Sequence, residues 1–275
     1  MTNRYVAVGD SFTEGVGDRH TLLPNGVRGW ADRVAEQLAK NEPGWEYANL
    51  AIRSKRLRDI VADQLAPAIA MKPTLITVYA GGNDVTDLGT SIDSVMKEYE
   101  EFVRQLASTG ARLLLFTGYD VPVAPGLHLY RRRNHAYNDA VRRIARKYGA
   151  QLVDFWAFEG LDDRRMWAGD RLHLSKAGHK FVAARVLEAL DVTHSVRLKP
   201  QQPLARRSMR EWERAQRRWA HDWVVPLLYR KIRGTTLGDD LEPRWPEPIR
   251  VPRRGGLRKL ARNRVRAVAQ SIAGK

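Results

Sequence analysis

The 275-residue sequence contains no cysteine. That excludes disulfides, thiolate metal sites and a cysteine nucleophile, and it fits a reducing compartment. No run of about 18 apolar residues occurs, so no segment reads as a membrane-spanning helix. An apolar targeting run is missing too, because a strand pattern already begins at Arg4. Cytoplasmic residence is therefore expected, with the membrane surface as a peripheral site. Negative charge is scarce: 31 Asp and Glu stand against 47 Lys and Arg, a net charge of +16. The imbalance is local. From Ser195 onward 21 basic residues face 7 acidic ones, whereas residues 1–194 hold 26 and 24. Such a surface attracts anionic lipid, nucleic acid or an acidic protein without specifying which. Arginine outnumbers lysine throughout, a bias that codon composition alone is able to produce.

The hydrophobic fraction of 43% is that of a globular protein, and the length accommodates one domain or two. Short apolar runs at Arg4–Val8, Glu46–Leu50, Thr74–Ala80, Arg112–Thr117 and Gln151–Val153 read as strands, apolar almost throughout as in a parallel sheet covered on both faces. Helical patterns lie between and after them at Trp30–Lys40, Leu57–Ala70, Ser91–Ser108, Arg131–Tyr148 and Lys176–Leu190. Gly110 and Gly149 stand where helix C-terminal caps belong. The alternation predicts a doubly wound α/β domain with five parallel strands over residues 1–194. Beyond it, Pro200 and Pro203 mark a break. Residues 206–233 form a basic helical pattern with tryptophans, 234–256 read as an irregular linker, and Leu257–Ile272 as a short basic helix. Residues 195–275 are thus expected to be a basic helical extension too poor in apolar residues for its own core.

Ligands of open α/β sheets bind beyond the carboxyl ends of the strands. The first strand ends in Gly9-Asp10-Ser11, the third in Gly81-Gly82-Asn83-Asp84, and the second leads through Asn49 to Arg53-Ser54-Lys55. After the last strand comes Asp170-Arg171-Leu172-His173, a spacing that lets the carboxylate sit beside the imidazole and fix its tautomer. Each block alone has an ordinary reading. A serine after a strand is more often a helix cap, an asparagine after glycines a turn residue, and Asp-x-x-His a surface pair. Together they place a nucleophile, polar donors and a base with its orienting acid on the loops of one sheet edge.

In these blocks and their order the sequence resembles the SGNH hydrolase superfamily, the GDSL esterases and lipases, over roughly residues 4–190. The resemblance implies a three-layer α/β/α, flavodoxin-like sheet of strand order 2-1-3-4-5. It implies Ser11 as nucleophile, His173 as base and Asp170 as the residue that orients it. The oxyanion hole would comprise the Ser11 N–H, the Asn83 side chain and the Ser54 N–H. One position departs from the family pattern: Ser54 stands where glycine is usual, and a positive φ there would strain a serine. Gly9 and Gly82 are expected to shape the site through the backbone, and Asp10 and Asp84 to structure its loops.

The expected activity is hydrolysis of a small-molecule carboxylic ester, acetyl esters of sugars included, through an acyl-enzyme. Acyl transfer to another alcohol and a non-catalytic binding role are the alternatives. The scheme calls for no metal and no cofactor; the remaining histidines, His20, His128, His135, His179, His194 and His221, show no ligand spacing. Loops at 19–29, 85–90, 121–130 and 155–169 carry Leu22, Leu23, Leu88, Leu127, Leu129, Trp156, Phe158 and Trp167, which either line an acyl site or pack on the domain. At 100° per residue, Trp212, Trp219 and Trp223 fall within about 40° of one another, with Arg206, Arg210, Arg214, Arg217 and Arg218 largely opposite. This pattern suits either an anionic membrane surface or packing on the catalytic domain, with packing the more common use of such a stripe. Nucleic acid is not expected as the partner, since no recognised module accompanies the arginines and tryptophans.

Overall fold

The computed structural model describes residues 2–119, 128–198 and 208–273. Its centre is a six-stranded sheet. The strands are β1 (Arg4–Gly9), β2 (Glu46–Asn49), β3 (Leu75–Tyr79), β4 (Arg112–Phe116), β5 (Gln151–Val153) and β6 (Trp245–Arg250), in the order β5-β4-β3-β1-β2-β6. The first five run parallel in the expected order. The sixth is a correction: it forms within the segment read as an irregular linker and pairs antiparallel with β2, Tyr47 opposite Ile249 and Asn49 opposite Trp245, with a register shift between the two pairs. The C-terminal extension is therefore not purely helical.

Alternation along β1 explains the layering. Tyr5 and Ala7 point into one core, Val6 and Val8 into the other. The first core is covered by α2 (Trp30–Asn41), α7 (Lys176–Ala189) and α10 (Gly256–Ala273); the second by α3 (Leu57–Ala70), α5 (Ile92–Ala107) and α6 (His128–Lys147). Two short helices, α1 (Ser11–Glu14) and α4 (Gly82–Val85), follow β1 and β3. The basic segment forms α8 (Met209–Trp219), a π-helical turn over Ala220–Val224, and α9 (Val225–Arg233). Pro200, Pro203 and Arg206 lie outside the described residues.

The extension also enters the first core, where Trp245, Val251, Leu257 and Ala261 are buried. Arg244 is buried with them. Its guanidinium donates to Asp32 Oδ2 at 2.8 Å, to the Glu14 carbonyl at 2.9 Å and to the Pro24 carbonyl at 3.1 Å. Asp32 in turn accepts from the Gly29 N–H and the Tyr47 hydroxyl. Among the described residues no helix is long and apolar enough to cross a membrane.

Candidate active site

The loop that carries Ser11 is built by a backbone that only glycine accommodates at one point. Gly9 ends β1 at φ 153°, and a Cβ there would lie 2.4 Å from the Tyr79 carbonyl. Asp10 then caps α1, its Oδ1 accepting from the Phe12 N–H at 3.0 Å, so Ser11 opens the helix at the sheet edge. Phe12 pins the turn from below. Its ring packs among Trp30, Tyr79, Phe116 and Phe155 at centroid separations of 4.6–5.6 Å.

The second block is tied to the first. Asn49 is buried and donates to the Thr13 carbonyl and the Tyr47 hydroxyl, while its Oδ1 accepts from the Ala51 N–H. The Arg53 N–H and guanidinium both engage the buried Glu14 carboxylate, at 2.7 Å and 2.6 Å. Ser54 follows at φ 69°, the left-handed conformation in which a serine is strained. The third block closes on the second: Asn83 Nδ2 donates to the Lys55 carbonyl at 2.8 Å and, more loosely, to Asp10 Oδ2 at 3.4 Å. Gly82 opens α4 against the Tyr79 ring, and Asp84 Oδ2 accepts from the Leu57 N–H at 2.9 Å. Burial pushes the Asp10 carboxyl up to about 7 and raises that of Asp84. Both carboxylates hold loop backbone in place.

The fourth block carries Asp170 and His173. Asp170 Oδ1 accepts from the N–H groups of Leu172 and His173, each at 3.0 Å, leaving Oδ2 at 2.6 Å from His173 Nδ1. His173 Nε2 lies 3.0 Å from Ser11 Oγ. With the proton on Nδ1, facing the carboxylate, Nε2 has a lone pair for the serine hydroxyl. Burial raises the Asp170 carboxyl, but the His173 hydrogen bond and charge and the two backbone donors outweigh it, so it sits below the ordinary carboxylate range. Behind the loop, Ser175 caps α7 and its hydroxyl donates to the Arg165 carbonyl at 2.6 Å.

The structure thus brings Ser11, His173 and Asp170 into one hydrogen-bonded series, with Asn83 held against the neighbouring Asp10. The apolar loop residues divide. Leu23 and Trp167 are buried in the core, Trp156 and Phe158 are half-buried, and Leu22, Leu88 and Leu129 are exposed. Leu127 and most of the 121–130 loop lie outside the described residues. What the sequence did not mark is contact from the extension. Trp219 Nε1 donates to the Asp170 carbonyl at 3.1 Å, Arg171 Nη1 donates to Gln216 Oε1 at 2.6 Å, and Trp223 stands beside Gly169. A groove of about 410 Å³ runs along this seam. The only signal for it was the tryptophan stripe, which periodicity identifies without identifying what it faces.

A doubly wound sheet that carries Ser11, and far along the chain Asp170 and His173, on its strand-end loops has the make-up of an SGNH-type hydrolase. The chain belongs to the GDSL-like lipase/acylhydrolase family, whose model matches residues 7–181, and is an enzyme of that ester-hydrolase class. It is 28% identical over 182 residues to the GDSL esterase/lipase CPRD49 of Arabidopsis thaliana, covering 58% of this chain and 67% of that protein. Its fold is similar to that of Axe2, an acetylxylan esterase from Geobacillus stearothermophilus, with TM-score 0.59 and 24% identity, over 68% of this chain and 94% of that one. The esterase EstA from Pseudoalteromonas sp. superimposes with TM-score 0.56 at 15% identity, over 69% and 97%.

Proposed function

We propose that residues 1–194 form a catalytic unit that hydrolyses carboxylic esters through Ser11, His173 and Asp170. The observation that carries this reading is the continuous series from Asp170 Oδ2 through the imidazole to Ser11 Oγ, at 2.6 and 3.0 Å. His173 removes the hydroxyl proton as Oγ attacks the ester carbonyl, and Asp170 stabilises the imidazolium. The oxyanion is received by the Ser11 N–H, the Asn83 amide and the Ser54 N–H. Neither backbone N–H has a hydrogen-bond partner among the described residues, and the 3.4 Å contact of Asn83 to Asp10 is the one most easily exchanged. The imidazolium then protonates the departing alcohol. Water, deprotonated by the same imidazole, releases the acid and restores Ser11.

The test is a chain-length series of p-nitrophenyl esters with acetylated sugars beside them, the latter suggested by the acetylxylan esterase likeness. Ser11→Ala and His173→Ala should lose turnover by about 10³-fold or more, and Ser11→Ala should abolish labelling by a fluorophosphonate. Asn83→Ala should cost about 10²–10³ in kcat while leaving the fold intact. Unchanged turnover in Ser11→Ala sinks the proposal. Acetylated or acylated acceptors among the products, instead of free acid, would identify a transferase using the same acyl-enzyme.

A second reading concerns the extension. Of the three tryptophans, Trp219 bonds the loop that carries Asp170, which favours packing for it, whereas Trp223 is exposed at the groove. Trp212, Val225, Tyr229 and Ile232 are exposed beside Arg210, Arg214, Arg218 and Arg233. This mixture suits an anionic lipid surface. Full-length protein should co-sediment with phosphatidylserine-containing vesicles and not with neutral ones, and Trp212→Ser with Ile232→Ser should weaken that binding. Equal recovery with both vesicle types argues against it.

A further inference from the structure

We propose that Trp219, contributed by the C-terminal extension, is a positioning residue for the triad: its indole N–H holds the Asp170 carbonyl and so fixes the carboxylate against His173. The inference rests on the triad reading above and adds to it a residue outside the segment that carries the family likeness, 7–181.

The loop that presents Asp170 and His173 is bonded within itself, through the Asp170 carboxylate to the N–H groups of Leu172 and His173 and through a bridge between Trp167 and Leu174. It folds back through the Ala168 N–H to the His173 carbonyl and the Arg171 N–H to the Ala168 carbonyl. Between the two triad residues, Arg171 sits at φ 63°, a conformation that a side chain with a Cβ resists. Such a residue persists where its surroundings over-determine it. Here the loop's own bonds are joined by contacts from α8 and the π turn after it. The Trp219 Nε1–H donates to the Asp170 carbonyl at 3.1 Å, which fixes the peptide joining residues 170 and 171. The Arg171 guanidinium lies 4.3 Å from the centre of the Trp219 ring, and its Nη1 donates to Gln216. Trp223, one turn further on, lines the same groove as Gly169. The strained residue and the carboxylate's own peptide are thus clamped from one side by a single helix, at a π-helical turn of the kind that recurs at functional sites.

A second feature makes the contact matter for chemistry. Asp170 Oδ2 must stay at hydrogen-bond distance from Nδ1 while the other oxygen serves two backbone donors. All three bonds turn about the Asp170 backbone, so a small rotation of its peptide disturbs them together. Displacements of about 1 Å at catalytic groups cost up to about 10²-fold in rate.

The experiment compares Trp219→Ala, Trp219→Phe and, as a control on the solvent side of the same helix, Glu213→Ala, all in the full chain. Three quantities are read: kcat and KM on a p-nitrophenyl ester, the pH profile of kcat/KM, and the downfield Nδ1 proton of His173 by NMR. Trp219→Ala should lower kcat by about 10- to 100-fold with KM changed less than about 3-fold. The acid limb of its profile should move to lower pH, because a loosened carboxylate stabilises the imidazolium less, and its Nδ1 proton signal should broaden or vanish. Trp219→Phe keeps a ring for Arg171 but no donor, and should fall between. Glu213→Ala should match the wild type. The proposal is overturned if both tryptophan variants keep wild-type kcat and Nδ1 signal. It is equally overturned if kcat falls only in proportion to loss of folded protein while the signal of the folded fraction is intact. A wild-type chain that hydrolyses no ester, but whose His173 signal changes in Trp219→Ala, would retain the positioning role and refute the hydrolytic one. Ser11-dependent turnover indifferent to Trp219 would do the opposite.

Discussion

Ser54 carries strain at a place where the proposed chemistry needs only a backbone N–H. Its φ of 69° costs a serine on the order of 1 kcal/mol relative to glycine, partly offset because glycine loses more chain entropy on folding. Ser54→Gly should therefore be neutral or stabilising by up to about 1 kcal/mol in urea unfolding. Ser54→Val, β-branched and worse suited to positive φ, should be destabilising by more than that. The departure from the family's usual glycine was legible in the sequence, and so was its condition, a positive φ. Ser11, Asn83, Asp170 and His173 were legible for a related reason: the strand pattern sends each of their loops to the same edge of the sheet. Glu14 and Arg53 were not legible. Their ion pair links residues 39 apart in sequence, and nothing in either segment's pattern announces the other. Trp219 escaped for the same cause, since its amphipathic stripe has no sequence relation to Asp170.

At the scale of elements, α7 is fastened to the nucleophile loop by His179, whose Nε2 donates to the Val16 carbonyl at 3.0 Å. The ring is fully buried, and burial lowers its pKa from 6.5 to about 3. The unfolded chain binds this proton near pH 6.5, whereas the folded one refuses it until about pH 3. Stability from this group is therefore complete above pH 6.5 and is lost as pH falls through that window. Between pH 6.5 and 4.5 the loss is about 2–3 kcal/mol. Thermal melts of wild type and His179→Gln should differ most at pH 7.5 and converge toward pH 4.5; parallel curves would exclude His179 as the cause of acid sensitivity. The five parallel strands and their helices were readable to within a few residues, because apolar runs and helical periods are local. β6 was not. Its sequence, Trp-Pro-Glu-Pro-Ile-Arg, has two prolines that argue against any strand except one at a sheet edge, which is where it lies.

At the scale of the whole molecule, the basic extension joins the fold through the β2–β6 ladder, through apolar contacts and through a buried ion pair. Arg244 and Asp32 are both fully buried at the side chain and 2.8 Å apart. Removing one partner of such a pair leaves an uncompensated charge, at a cost of about 3–5 kcal/mol. Arg244→Met should therefore lower the urea midpoint strongly, and Asp32→Asn added to it should restore part of the loss. Arg104→Met, which breaks an exposed pair with Glu101, should change stability by no more than about 1 kcal/mol. If Arg244→Met is as mild as Arg104→Met, the extension is held by the ladder and its apolar contacts alone. Charge counting had placed the surplus cations in the tail, but a count does not distinguish an arginine in solvent from one inside the core.

The prolines of β6 bear on how this protein behaves in a crowd. An unprotected β edge is a template on which a second chain can zip, the first step of aggregation. On one flank of this sheet the outermost ribbon lacks the N–H at Pro246 and Pro248; on the other, the last strand spans only three residues. Neither flank offers a long unbroken ladder, so even a concentrated solution should resist the edge-to-edge strand pairing that seeds fibrils.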